Sequence, residues 1–287
     1  MSETLTEPSA EPLTATRSAR VSILLVTRNG IDTLPSTLVA LRRQRTDDAF
    51  EIVAVDSGST DGTAEFLAPR VDRLLRIPPG EFNHGTTRNA GIAACRGSLV
   101  VLLVQDALPA SDAWLRELVA PFADPRVAGT YARQEPRPEA SAVTRHYLAG
   151  WSATSPAPRR QELASPGAWE TLTPQARLDL CTFDDVCSAI RRAVWETIPF
   201  PRVAIAEDVH WARAALLAGH CIAYAPAACV VHSHERSARA WASTVPLHRR
   251  LSRGRRGERL RALALAFAYP CGQYLGGRDG ARDAERA

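Results

Sequence analysis

Asp106 follows the apolar run Leu99–Val104, with one residue, Gln105, between them. A carboxylate in that place is costly unless it is exposed or paired. A hard divalent cation shared with phosphate oxygens would suit it; so would a turn that caps the next helix. Arg88 falls in the first turn of a helix that follows Gly85. Its guanidinium and the helix amides can face one phosphate, or it makes a surface salt bridge. His84, just before that helix, either approaches the same phosphates or caps the helix. Glu207-Asp208 opens an amphipathic stretch. Asp208 is a candidate general base with Glu207 in support, set against two acids that merely suit a helix dipole. His232 and His234, two apart on an extended chain, point the same way. They can meet one metal ion or form a polar strand end.

These side chains lie far apart in sequence, so a fold must gather them. Val21–Thr27 is a short apolar run of the buried parallel-strand kind. Ile31, Leu34, Leu38 and Leu41 then recur at helical spacing. Glu51–Val55 reads as a second strand, followed by the polar turn Asp56-Ser57-Gly58-Ser59-Thr60-Asp61-Gly62-Thr63 and a helix near Thr63–Leu67. Arg73–Ile77 is a third strand, and Thr86–Arg96 a helix stopped at Gly97. Leu99–Val104 is the strongest strand, with a helix around Trp114–Phe122 after it. Such alternation with short connections predicts an α/β fold with a mostly parallel sheet and helices on both faces. Ligands of such sheets bind outside the carboxyl ends of the strands, where Thr27, Asp56 and Asp106 fall.

Beyond this half, 134–180 reads as Pro- and Arg-rich loop with a short helix near Ser141–Trp151. Order returns with a strand from Thr182 to Ile190, a helical turn at Arg192–Thr197 and a helix over Glu207–Ala218. The apolar pieces Ile222–Ala225 and Cys229–Val231 follow. Residues 1–19 read as a flexible tail, 20–237 as the folded domain and 238–287 as a basic helical extension.

The 287 residues are 45% hydrophobic, enough for a full core and too many for a disordered chain. No apolar stretch reaches membrane-spanning length and no leader pattern opens the chain, so a cytoplasmic protein is expected. The net charge of +4 comes without a single Lys, which removes Lys as a Schiff-base or phosphate-binding candidate. Arginines concentrate between His248 and Arg261, beside Leu263, Leu265 and Phe267. That juxtaposition fits peripheral attachment to an anionic membrane or a helix pair packed on the domain. Nucleic acid is not expected as a partner. The six cysteines form no C-x-x-C pair and are read as reduced core residues.

Taken in order, the motifs resemble glycosyltransferase family 2, which has the GT-A fold. The segments that carry the resemblance are Val-Thr-Arg-Asn at 26–29, the turn at 56–63, Phe-Asn-His-Gly-Thr-Thr-Arg-Asn-Ala-Gly at 82–91, Gln-Asp-Ala-Leu-Pro at 105–109, Ala-Glu-Asp-Val-His-Trp-Ala at 206–212 and His-Ser-His at 232–234. Within the family the chain is most similar to the bacterial rhamnosyltransferases. Part of that likeness lies in Tyr131-Ala132-Arg133-Gln134.

The resemblance implies an inverting, metal-dependent transfer of a sugar from a nucleotide-diphosphate donor to a saccharide or lipid-linked acceptor. Thr27 and Asp56 would hold the nucleoside end of the donor. Arg88, with His84 nearby, would meet the diphosphate. Asp106 would ligate Mg²⁺ or Mn²⁺ with His232 or His234, and Asp208 would act as base. In one respect the chain departs from the pattern: Val104 stands where the family's D-x-D metal motif has its first acid. A sugar nucleotidyltransferase and a non-catalytic nucleotide-sugar binder are the competing expectations.

Overall fold

The computed structural model describes residues 20–165 and 167–234. The tail expected over 1–19, the basic extension expected over 238–287 and Cys271 lie outside the described residues.

The strands are β1 Val21–Thr27, β2 Phe50–Asp56, β3 Arg73–Arg76, β4 Leu99–Val104, β5 Leu108–Pro109, β6 Val127–Glu135, β7 Arg159–Gln161, β8 Cys187–Arg191 and β9 Cys221–Val231. The helices are α1 Leu34–Arg42, α2 Thr63–Leu67, α3 His84–Ala94, α4 Trp114–Val119, α5 Ala142–Ala149, α6 Ala168–Thr171, α7 Pro174–Leu180, α8 Arg192–Thr197 and α9 Glu207–Leu217.

All the strands join one sheet in the order β3-β2-β1-β4-β8-β6-β9-β5, with β7 paired to β9. Its first four strands are parallel. β8 runs against β4 and β6, while β5 and β7 run against β9, which is parallel to β6. The remaining six strands share one direction, so the expected mostly parallel α/β sheet is present.

Both faces of the sheet are covered, which is why β4 is an unbroken apolar run and β1 is apolar apart from Ser22 and its tip, Thr27. Ile23 and Leu25 face a core with Leu34 and Leu38 of α1 and Trp114 of α4. Leu24 faces the opposite core, with Ile92 of α3 and Trp211 of α9. The five described cysteines are buried free thiols. Among the described residues no helix is long and apolar enough to cross a membrane.

Several elements differ from the sequence reading or were absent from it. Strand β6 has no clean apolar alternation, and its Gly129 obscures it. Glycine is needed there because a Cβ would lie 2.9 Å from both the Phe183 and Trp211 rings. The strand expected from Thr182 starts at Cys187 instead, because the Asp184 carboxylate caps its own turn by accepting from Val186 N at 3.0 Å. Finally, β9 is continuous through Pro226. The register opposite it jumps from Ala132↔Ala225 to Arg133↔Cys229, and the proline lies in this bulge. The segment 134–180, expected as loop with one helix, also carries α6, α7 and the short β7.

Candidate active site

The register of the sheet sets Thr27 directly beside Asp56 at the tips of β1 and β2, and Val26 beside Val104 of β4. Gln105 fastens these tips. Its Oε1 accepts from Thr27 Oγ1 at 2.6 Å and Arg28 N at 2.9 Å, and its Nε2 donates to Arg28 O at 3.1 Å. Asp56 folds back on its own turn, accepting from Gly58 N at 3.1 Å, Ser59 N at 3.0 Å and the Ser59 hydroxyl. Gly58 and Gly62 supply the left-handed residues this turn needs, with φ of 82° and 90°. Thr27, Asp56 and Asp106 thus share one end of the sheet, as the strand ends predict.

The segment around Arg88 shows why each of its residues is there. Asn83, not His84, caps α3: its Oδ1 accepts from Thr86 N at 3.1 Å. Asn83 Nδ2 also donates to Val203 O at 2.7 Å, and Asn89 Nδ2 to Phe200 O at 2.8 Å. Gly85 allows the approach of that loop, since a Cβ there would lie 2.1 Å from Pro201 O. The loop is thereby stitched to α3 just before Ala206, a left-handed residue with φ of 62°. Such a backbone costs a non-glycine residue about 1–2 kcal/mol. It sits where α9 must start so that Glu207 meets Arg88.

The guanidinium of Arg88 is buried, not on the surface. Its Nε lies 3.2 Å from Asp185 Oδ2, and its Nη1 bonds Glu207 Oε1. Two carboxylates therefore engage the group that sequence considerations aim at the donor phosphates. Asp208, half-buried beside this cluster, has its carboxyl pushed well above the usual range by burial, then by the charges of Glu207, Asp185 and Asp184. Burial also lifts Asp185, to about 6, against the pull of Arg88. His84 faces the same group. Burial lowers its pKa to about 4, although Glu207 pulls it up, so the ring is neutral at neutral pH.

Asp106, His232 and His234 gather at the neighbouring strand ends, with one ligand atom from each within 4.8 Å of the others. Asp106 Oδ2 is 3.6 Å from His232 Nε2 and 4.0 Å from His234 Nδ1. Ligand atoms around an ion with bonds of about 2.1 Å sit roughly 3–4 Å apart, the range of both distances from Asp106, so Asp106 is placed to share a divalent cation with either imidazole. His232 Nε2 is buried without a hydrogen-bond partner, as a ligand atom would be. Burial, against the pull of Asp106, lowers the pKa of His232 to about 4. The imidazole is therefore neutral, the form that binds metal. Val104 is a core residue, 4% exposed, and supplies no ligand.

The two halves of the site are joined. His232 contacts Gln134, Gln134 contacts Asp184, and Asp184 is followed in the chain by Asp185, the partner of Arg88. Sequence reasoning missed Gln134 as a contact, Asp184-Asp185 and Arg137. Arg137 Nη2 lies 2.7 Å from Asp106 O and 3.6 Å from its Oδ2. The signal for the acid pair was present: two adjacent carboxylates between Phe183 and the apolar Val186-Cys187 demand a buried partner. Arg137 is one of several arginines in a Pro- and Arg-rich stretch and carried no such signal.

Comparison with known proteins bears on the family and the fold. The family model described as glycosyl transferase family 2 matches residues 22–198. The O-antigen chain rhamnosyltransferase WbaN of Salmonella anatum is 30% identical over 196 residues, 67% of this chain and 59% of that protein. The O-antigen chain rhamnosyltransferase RfbN of Salmonella typhimurium is 28% identical over 221 residues, 75% of this chain and 67% of that protein. This chain thus spans between about three fifths and two thirds of these relatives. Among solved structures, the mannosyltransferase PcManGT from Pyrobaculum calidifontis, in complex with GDP-Man and Mn²⁺, superposes with a TM-score of 0.58 at 21% identity, covering 94% of this chain and 74% of that one. TarS 1-349 of S. aureus with UDP-GlcNAc gives 0.56 at 16% identity, covering 92% and 78%. Those two structures share the fold; the sequence match over more than half the chain, together with the sheet-end site, establishes that the chain belongs to glycosyl transferase family 2.

Proposed function

We propose that this chain is an inverting glycosyltransferase that moves rhamnose from a deoxythymidine-diphosphate donor to a hydroxyl of a saccharide or lipid-linked acceptor. The observation that carries the reading is the convergence of Asp106, His232 and His234 at the strand ends, linked through Gln134 and Asp184 to the acids around Asp208. The names of the two rhamnosyltransferase relatives support the donor sugar.

Thr27 and Asp56 line the nucleoside end of the crevice. Asp106, His232 and His234 would hold Mg²⁺ or Mn²⁺, and two imidazoles favour Mn²⁺ over Mg²⁺. The cation, when bound, supplies positive charge against the departing diphosphate. Arg137, beside Asp106 and partly exposed, adds a second cation there. Asp208 takes the acceptor proton. Its raised pKa makes it a stronger base than an exposed carboxylate. Arg88 holds Glu207 and Asp185 in place around that base.

The test is an assay of nucleoside diphosphate release from dTDP-rhamnose by the full chain. Release is expected with Mn²⁺ and is expected to stop with a chelator. Pyrophosphate release from dTTP and a sugar phosphate would instead identify a nucleotidyltransferase, and donor binding without turnover a binding protein. In titration calorimetry, Asp106→Ala is expected to weaken donor binding in Mn²⁺ by about 100-fold or more, since even indirect supports of a metal site are worth 10–100-fold. Binding in chelator should not change. Equal metal dependence in Asp106→Ala and wild type would remove Asp106 from the metal site.

A further inference from the structure

Gln134 closes the Tyr131-Ala132-Arg133-Gln134 run near the end of β6, and its side chain is buried, 6% exposed. Its amide lies between two groups of the site. Nε2 donates to Asp184 Oδ2 at 2.5 Å, and Oε1 lies 3.0 Å from His232 Nδ1. Asp184 is anchored in turn: Oδ2 accepts from Trp151 Nε1 at 2.9 Å and Oδ1 from Val186 N at 3.0 Å.

A primary amide has one donor end and one acceptor end. The Asp184 carboxylate, already held by two N–H donors, takes the donor end. The acceptor end is left facing His232, so Nδ1 must be the ring nitrogen that carries hydrogen. An imidazole that ligates a cation keeps one N–H, so with Nδ1 facing the amide oxygen Nε2 is the atom left to present a lone pair. It does so 3.6 Å from Asp106 Oδ2 and with no hydrogen-bond partner. Two lone pairs facing each other across that gap are complementary to a cation.

We infer that Gln134 is a positioning residue of the metal site, fixing His232 as the Nδ1–H tautomer so that Nε2 faces Asp106 as a ligand. The inference rests on the metal-dependent reading above. It also gives the end of the Tyr-Ala-Arg-Gln run a physical role: the residue after Arg133 must offer an acceptor to the ring and a donor to Asp184. Ligating histidines are commonly oriented through their second nitrogen, and loss of such a partner costs 10–100-fold in metal affinity.

The test uses the full chain with ¹⁵N-labelled histidine and two variants. Gln134→Met keeps length and volume but removes both polar ends. Gln134→Glu keeps an acceptor toward the ring, and one proton shared between its carboxyl and that of Asp184 replaces the lost N–H donor. In metal-free wild type, nitrogen NMR should show His232 with a protonated Nδ1 and a bare Nε2. Gln134→Met should lose that preference and bind Mn²⁺ roughly 10–100-fold more weakly by electron paramagnetic resonance titration. Gln134→Glu should retain the tautomer and bind within a few-fold of wild type. A protonated Nε2 in wild type overturns the inference, as does an unchanged tautomer and Mn²⁺ affinity in Gln134→Met. If the tautomer responds as expected but wild type binds no Mn²⁺ with or without donor, the orienting role of Gln134 stands and the metal-dependent reading falls.

Discussion

Asp208→Asn is expected to lower kcat by roughly 10²–10⁴-fold, the usual contribution of a positioned base, while raising thermal stability. Both effects follow from one cause. The Asp208 carboxyl is held well above its ordinary range by burial and by Glu207, Asp185 and Asp184. An acid whose folded pKa exceeds its unfolded one favours folding at low pH, and that contribution is lost as pH rises through the folded value. At neutral pH its charge therefore works against the fold, and a neutral amide relieves this. Asn can still accept from Val209 N, as Asp208 does at 2.8 Å. The same shift sets the pH profile of the wild type: the acid limb of kcat should lie above the pH near 4 where an unperturbed aspartate titrates. The measurements are turnover with dTDP-rhamnose from pH 4 to 9 and melting temperature at pH 7. Wild-type turnover in Asp208→Asn would eliminate it as the base, and a lowered melting temperature would contradict the account of its environment.

Arg88→Met is expected to destabilise the fold by about 3–5 kcal/mol at neutral pH, the range found when one partner of a buried ion pair is removed. Methionine fills most of the volume, so the loss is mainly electrostatic. Asp185 and Glu207 are 3% and 5% exposed and lose the cation between them. Arg88 pulls down the pKa of Asp185, which burial lifts to about 6. In the variant that carboxyl rises further above its unfolded value. Stability should therefore be recovered as pH falls and lost as it rises. Urea denaturation at pH 5 and pH 8 measures this: the deficit should be markedly smaller at pH 5. A deficit equal at the two pH values would mean that packing, not charge, is what Arg88 supplies.

The first half of the chain was legible because its signals are local. Val21–Thr27 and Leu99–Val104 are apolar runs that only a doubly covered parallel strand requires, and their polar ends mark the crevice. Gly58 and Gly62 mark the turn after Asp56. The second half was less legible because its determinants are tertiary. Gly129 weakens the pattern of β6, yet it is glycine only because two aromatic rings pack over it. Pro226 reads as a strand break, yet a bulge lets β9 continue. The same distinction separates the site residues. Asp106, Glu207, Asp208 and the two histidines announce themselves as polar residues at the ends of apolar runs. The burial of Arg88 does not, because it depends on Asp185 and on the loop that Asn83 and Asn89 fasten to α3.

The most direct check on the whole account is a crystal of the chain soaked with Mn²⁺ and dTDP-rhamnose, with anomalous scattering recorded at the manganese edge. The expected map has a single strong peak within coordination distance of Asp106 and His232, touching the donor diphosphate, with the thymidine lying over the ends of β1 and β2 near Thr27 and Asp56. A manganese peak elsewhere, or a donor bound away from these strand ends, would contradict it.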